Sequence, residues 1–371
     1  VYKRQVIVTP YTTGYWLPVF AERTTVVGAG GGSQVFYYVS QIYNGSLDEQ
    51  RVINLMKRYG AEYIYSKKEL KSLTPEHFKL AYKKGGVRIY QLHPAPSFLE
   101  VYHSALVVGD PIYVIQSTKF LVKTALVWGP EKIDALNIND LLKYDLLILY
   151  NYEYDSESKT NLLLREYLAN GGNILVDCYN SPPILGIKPM QVAYYDRISA
   201  KAMMSHSIFN GVNLSNFSPA VWEGDVWNCV VYPGYEGDVL LRIDDYPVIK
   251  LLNKGKGRIM LLGFNLFYHA EYYRNDDERR LLANMIDWLS NADVPLIADI
   301  DVLERSPTNI VFKVNASTIP VCVVAKVPYY PGWTCEINGT NSKIGDFDGY
   351  IAVNIPEKGI SIIILRYEKS F

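Results

Sequence analysis

The stretch Asp145-Leu146-Leu147-Ile148-Leu149-Tyr150, followed by Gly171-Gly172-Asn173-Ile174-Leu175-Val176-Asp177-Cys178, decides how the middle of this chain is read. The first run is almost continuously apolar, the pattern of a strand buried on both faces. Residues 156–170 between the two runs place Leu162, Leu163, Tyr167 and Leu168 at helical spacing. The glycine pair is where such a helix stops. Strand, helix, glycine turn and strand make a βαβ unit, whose two strands lie parallel. The expected fold is therefore α/β, a largely parallel sheet flanked by helices.

Working outward, strands are expected at 105–108, 239–243, 248–252 and 258–264. The glycine-bearing turn 253–257 joins the last two. A helix is expected over 276–290, with Leu281, Leu282, Met285, Ile286 and Leu289 on one face. Residues 180–238 read as irregular cover for the sheet edge or a cleft mouth. Upstream, residues 6–9, 61–65 and 87–92 read as strands and 47–59 as a helix opened by Ser46. A second helix is expected to start at Thr74-Pro75-Glu76. Downstream of Asp293-Val294-Pro295 no helical period remains. Six short strand patterns at 300–303, 310–314, 321–326, 334–337, 350–354 and 360–367 indicate a small antiparallel β-sandwich. The expected domains are residues 1–96, 97–293 and 294–371.

Composition limits the function. The 371 residues are 49% hydrophobic and 20% charged, enough for packed cores and too apolar for bulk disorder. The net charge is −1 and no Lys/Arg block is dense, so a nucleic-acid partner is not expected. No run reaches the ~20 apolar residues of a spanning helix. Val1-Tyr2-Lys3-Arg4-Gln5 resembles the translated end of a transposon used in sequencing-library preparation, so native sequence is expected to begin near Val6. The cysteines Cys178, Cys229, Cys322 and Cys335 lack CxxC spacing and read as free, buried residues, although Cys322 and Cys335 could pair across a strand loop. Five N-glycosylation sequons, at Asn44, Asn213, Asn216, Asn315 and Asn338, suit an extracytoplasmic location.

Three stretches resemble the extracytoplasmic parts of GT-C membrane glycosyltransferases and their archaeal relatives. The first is Gly14-Tyr15-Trp16-Leu17-Pro18-Val19-Phe20-Ala21-Glu22-Arg23-Thr24. The second runs from Asn44-Gly45-Ser46-Leu47-Asp48 to Tyr59-Gly60-Ala61-Glu62-Tyr63-Ile64-Tyr65. The third is Tyr329-Tyr330-Pro331-Gly332-Trp333 with Asn338-Gly339. The resemblance implies an accessory or acceptor-presenting region on the outer face of a membrane. It implies missing upstream helices as anchor, a glycan or lipid-linked sugar as partner, and no chemistry of its own.

The middle segment resembles the class I glutamine amidotransferase-like, flavodoxin-like fold. The matching stretches are 144–149, Tyr167-Leu168-Ala169-Asn170-Gly171-Gly172-Asn173-Ile174 and Gly255-Lys256-Gly257-Arg258-Ile259. That resemblance implies a nucleophile at Cys178 with His269 as base and Glu271 orienting it. The elbow glycines are replaced, in Asp177-Cys178-Tyr179-Asn180, so the triad is expected to be degenerate. The alternative readings are a Cys-dependent hydrolase and a secreted carbohydrate-binding module. The latter would use Trp222, Glu223, Asp225 and Trp227, two aromatics and two carboxylates in one loop. Aromatic packing that pins the loop is the plainer reading of that motif. Asp276-Asp277-Glu278 reads as helix capping, and Asp346-Phe347-Asp348-Gly349 as a hairpin turn. The glycines at 28–32 lack a phosphate-loop pattern. No metal site and no cofactor are expected.

Overall fold

The computed structural model describes residues 5–8, 41–43, 45–119, 121–177, 179, 181–220, 226–232, 237–306, 308–329, 331–347 and 349–368. The chain divides into two compact units. One is Val1–Glu100 with Arg305–Pro307, and the other is Val101–Glu304 with Thr308–Phe371.

In the first unit, β1 (Gln5–Val8), α1 (Glu49–Arg58), β2 (Ala61–Ser66), β3 (Phe78–Lys84) and β4 (Val87–Leu92) follow in order. The sheet order is β1-β2-β4-β3. Helix α1 starts two residues later than Ser46 suggested. The Asp48 side chain is the cap, accepting the Arg51 N–H at 2.9 Å. Its apolar stripe, Val52, Ile53, Leu55 and Met56, is buried on β2. The helix expected after Thr74 is a turn followed by strand β3. The Glu49 carboxylate takes both the Thr74 N–H and hydroxyl, fixing the segment to α1. The positive-φ pair Gly85-Gly86 then folds β3 back on β4 as a hairpin.

Strand β5 (Leu99–Tyr102) runs across the boundary at Glu100, and the second unit continues with β6 (Ser104–Gly109), α2 (Pro111–Thr118), β7 (Ala125–Trp128), α3 (Ile138–Leu141), β8 (Leu146–Tyr150), α4 (Glu157–Ala169) and β9 (Asn173–Asp177). There follow β10 (Met190–Tyr195), β11 (Ala200–Ala202), β12 (Trp227–Val231), β13 (Asp238–Ile243), β14 (Tyr246–Lys254), β15 (Gly257–Leu262), α5 (Leu266–Tyr273) and α6 (Asp276–Leu289). The remaining strands are β16 (Ala298–Arg305), β17 (Asn309–Ala316), β18 (Val321–Pro328), β19 (Trp333–Ile337), β20 (Thr340–Ser342), β21 (Gly345–Phe347), β22 (Tyr350–Ile355) and β23 (Gly359–Tyr367).

The expected fold class is corrected here. The chain is mostly strand, and its largest sheet is mixed, with eight strands in the order β11-β13-β14-β15-β9-β8-β6-β7. Strands β7, β6, β8, β9 and β15 run parallel. Strands β14, β13 and β11 continue the sheet antiparallel. The cause lies in the connections. Asp244-Asp245 and Gly255-Lys256 are hairpin turns, and a hairpin joins only antiparallel neighbours. Residues 180–238 are also more regular than expected, since they hold β10, β11 and β12, with β10 and β12 paired as a separate antiparallel sheet. Among the described residues there are four further sheets, one in the first unit and the β10-β12 pair among them. The C-terminal strands form two of them, β16-β17-β23-β19-β20 and β21-β22-β18-β5. Cys322 on β18 and Cys335 on β19 belong to different sheets, and both are free and buried.

The parallel strands are held by burial and by a few polar pins. All five residues of β8 and of β9 are buried. Gly172 has no side chain because the Tyr167 ring occupies the space that a β-carbon would need, 2.3 Å away. The Asn173 amide donates to the Leu289 carbonyl at 2.7 Å, tying β9 to the end of α6. The core on this face runs through Val107, Ile148, Leu175, Met260, Phe267, Leu282 and Ile286.

Candidate functional site

The carboxyl ends of the parallel strands carry the most chemical detail in the second unit. The chain runs from β6 to β7 on one side and returns to β8 on the other, so the connections diverge at the ends of β6 and β8. Such a switch point leaves a crevice where open sheets bind ligands. Register places Gly109 beside Tyr150 and Asp177 beside Leu262. One step beyond the Leu149–Val176 pair, Tyr150 also stands beside Asp177. A row thus crosses four strand ends: a glycine, a tyrosine, a carboxylic acid and a leucine.

Gly109 is required there. Its φ is +102°, and a β-carbon would lie 2.0 Å from the Tyr150 carbonyl oxygen. Asp110 follows, donating its N–H to that same carbonyl at 2.9 Å and capping α2 through Ile112 N–H. Asp177 ends β9 and is 1% exposed. Its Oδ1 accepts the Tyr179 N–H at 2.9 Å, whereas Oδ2 has no hydrogen-bond partner among the described residues. Burial pushes this carboxyl well above the usual range, and the Tyr179 bond only partly offsets it. Tyr150 is pushed up as well, by burial first and then by Asp177 and Asp110.

Aromatic rings line the approach. Tyr113 of α2 lies 6.0 Å from Tyr150 and 5.9 Å from Tyr268 of α5, and Tyr268 stacks on Tyr272 at 5.7 Å. Tyr150 meets Phe267 edge-on at 5.3 Å. Tyr268 is half-buried and Tyr272 exposed, so ring faces reach the surface beside a buried acid.

The residues singled out from sequence fall into three groups. Cys178, Trp222, Glu223 and Asp225 lie outside the described residues. His269 and Trp227 are brought together, both fully buried and stacked face to face with centroids 3.7 Å apart. Tyr273 covers the imidazole too, at 5.0 Å, and the Trp227 indole N–H donates to the Ser218 carbonyl at 2.9 Å. Glu271 lies two residues beyond His269 on α5, and residues so spaced on a helix do not share a face. Glu271 is half-buried where His269 is enclosed. Sequence reasoning passed over Asp177, Tyr150, Tyr113 and Tyr268. For Tyr150 and Asp177 the one available signal was a polar or phenolic residue closing an apolar strand run; Tyr113 and Tyr268 sit on helices and carried no such signal.

Beside the aromatic stack, the N-terminus of α6 grips the segment that leads into residues 221–225. Asn275 caps the helix through Asp277 N–H and Glu278 N–H. Its amide donates to the Asn216 carbonyl at 2.6 Å and to the Ser218 hydroxyl at 3.1 Å. Asp277 takes the Asn213 N–H and the Asn216 amide. Glu278 is fully buried, with Oε1 on the Ser218 N–H at 2.6 Å and Oε2 unpartnered among the described residues. Burial chiefly pushes its carboxyl up to about 7. Among the described residues no cluster of three or more His, Cys, Asp or Glu could hold a metal. None of their helices is long and apolar enough to cross a membrane.

No protein-family model and no curated protein matches the chain. Distant likenesses to solved structures exist. A cytoplasmic protein of Salmonella typhimurium LT2 is 12% identical, covers 50% of this chain and 99% of its own, and has a TM-score of 0.37. A ThuA-like protein of Parabacteroides merdae is 14% identical, with 56% and 94% covered and a TM-score of 0.35. A family GH42 β-galactosidase of G. stearothermophilus is 12% identical, with 71% and 40% covered and a TM-score of 0.32. At such scores a likeness carries neither fold nor function to this chain.

Proposed function

We propose that this chain is a ligand-presenting, non-catalytic ectodomain of a membrane glycosyltransferase-like protein. In this reading a glycan or lipid-linked sugar is held at the carboxyl ends of the parallel strands. One observation carries the choice of binding over chemistry. His269 is fully buried and stacked by the Trp227 and Tyr273 rings, which favours a packing role for the imidazole over that of a base open to substrate. The strand ends offer what a sugar needs instead: the half-buried Tyr268 and exposed Tyr272 give ring faces for its C–H surfaces, over a rim that the buried Asp177 supports. The ordered stretches that resemble the outer parts of GT-C enzymes support the extracytoplasmic placement.

The test is a glycan panel titrated against the chain and read by intrinsic fluorescence and calorimetry. At least one glycan class is expected to bind. Tyr268→Ala and Asp177→Asn are each expected to weaken that binding about tenfold, the first by loss of a stacking ring and the second by loosening the rim that Asp177 holds through the Tyr179 N–H. Silence across the panel, or binding indifferent to both substitutions, would sink the reading.

A further inference from the structure

The first unit contains a cavity of about 340 Å³ between the loop after β2 and the β3–β4 hairpin. That volume lies in the range of small-molecule sites. Its floor is apolar, made by Leu70, Leu73 and the largely buried Tyr90. The loop is pinned over it, since the Leu70 N–H donates to the Tyr90 hydroxyl at 3.1 Å. Three cations converge on this space from separate places: Lys71 from the loop, Lys83 from β3 and Arg88 from β4.

Their charge is poorly matched. The Arg88 side chain is only 19% exposed, yet its carboxylate partner Glu69 stands 3.8 Å away and is itself 64% exposed. Its other contact is the Gly86 carbonyl at 3.4 Å. A satisfied charge-assisted bond would lie near 2.7–2.9 Å, as is typical of such pairs. Lys71 and Lys83 form no ion pair among the described residues. A largely buried guanidinium without a close anion is costly. Lysines that merely guard an exposed edge strand would not need Lys71 to face them from outside the sheet. The whole chain carries a net charge of −1, so three cations around one carboxylate are a local excess and not a global one.

We propose that this cleft binds a phosphate-bearing ligand, with the phosphoryl oxygens on Arg88, Lys71 and Lys83 and the apolar part over Leu70 and Leu73. The planar guanidinium matches two phosphoryl oxygens at once, and the lysines add point charges. Glu69, exposed and loosely paired, swings away as the anion enters. The same oxyanion chemistry occurs in a free phosphate ester and in a phospholipid headgroup.

The full chain is titrated with inorganic phosphate and with glycerol 3-phosphate by calorimetry and by NMR of the Arg88 side chain. Saturable binding near about 1 mM or tighter is expected. Arg88→Gln, and separately the double variant Lys71→Gln/Lys83→Gln, are expected to weaken it about tenfold or more. Lys79→Gln, on the same strand but outside the cavity, is expected to change it less than about twofold. The double variant keeps the test open should the Arg88 change unfold the unit. Flotation with phosphatidylglycerol vesicles against phosphatidylcholine vesicles separates the sources. Capture by the anionic vesicles alone, lost in the double variant, assigns a lipid headgroup. Phosphate-ester binding without capture assigns a soluble ligand. Absence of saturable binding, or equal losses in the Lys79→Gln variant and the double variant, would overturn the proposal.

Discussion

Two buried titratable side chains make the second unit sensitive to pH, and both act in the same direction. Burial by itself would lower the pKa of His103, but the Asp145 carboxylate at 3.2 Å and the Val294 carbonyl at 2.9 Å outweigh it and hold the imidazole above its ordinary 6.5. A raised histidine stabilises the fold fully below its unfolded pKa and loses that contribution as pH rises through the folded value. Stability measured by urea titration is therefore expected to fall from pH 6 upward, and His103→Gln should flatten that part of the curve. Glu278 is the second case. Its carboxyl rises from an ordinary 4.5 to about 7, mainly through burial, with Asp277 adding to it and Ser218 opposing. The folded state thus holds the proton more tightly between those values, and stability declines as pH climbs from about 4.5 to 7. At about 1.4 kcal/mol per pH unit this is worth on the order of 3 kcal/mol. Glu278→Gln keeps the oxygen that accepts the Ser218 N–H, so it should stabilise the protein above pH 7 and leave it unchanged at pH 4. A variant less stable than the parent at pH 8 would mean that the ionised carboxylate is satisfied in the fold.

At the scale of elements, the start of α6 does two jobs that a pair of substitutions can separate. Asn275→Ala removes both the cap and the grip on Asn216 and Ser218, and should cost about 2 kcal/mol. Asn275→Asp keeps the capping oxygen and loses the two amide donations, so it should cost less while still loosening residues 213–218 in hydrogen exchange. This helix was legible in the sequence, as were α1 and α4, because long amphipathic periods with polar starts leave few alternatives. The six C-terminal strand patterns were legible for the same reason, each being an alternating or apolar run between turn residues. What failed was direction. The runs that became β13, β14 and β15 look alike whether parallel or antiparallel, and only the short Asp244-Asp245 and Gly255-Lys256 links decide it. The helix expected after Thr74 failed because Glu49, 25 residues earlier, captures its first turn. Such a contact is invisible to a local window. The strand-end row failed to show for a related reason. Gly109, Tyr150 and Asp177 become neighbours only through register across three strands, whereas His269 and Glu271 stood out through a short motif of the amidotransferase-like resemblance, and their spacing of two puts them on different faces of α5.

For the second unit as a whole, the mixed sheet implies a gradient of stability that runs outward from its middle. Strands β8 and β9 are buried along their full length and have parallel neighbours on both sides. Strand β11 is a three-residue edge, and β10 pairs only with β12 and carries the exposed Met190 and Tyr194. Few buried contacts and exposed backbone bonds mark the segments that open first. Amides of Ile148, Leu149, Leu175 and Val176 are therefore expected to exchange only through global unfolding, with a denaturant dependence equal to that of the whole unit. Those of β10 and β11 should exchange through small local openings, orders of magnitude faster. The strand-end row lies on the slow part of this gradient, since Tyr150 and Asp177 close β8 and β9. A ligand held there should slow exchange at Asp110 and Tyr179 while leaving Leu149 and Val176 unchanged, because the strands are already rigid. If protection in β10 and β11 matched that of β8 and β9, the antiparallel additions would be part of one cooperative core. The rim would then owe its shape to the entire sheet and not to the five parallel strands.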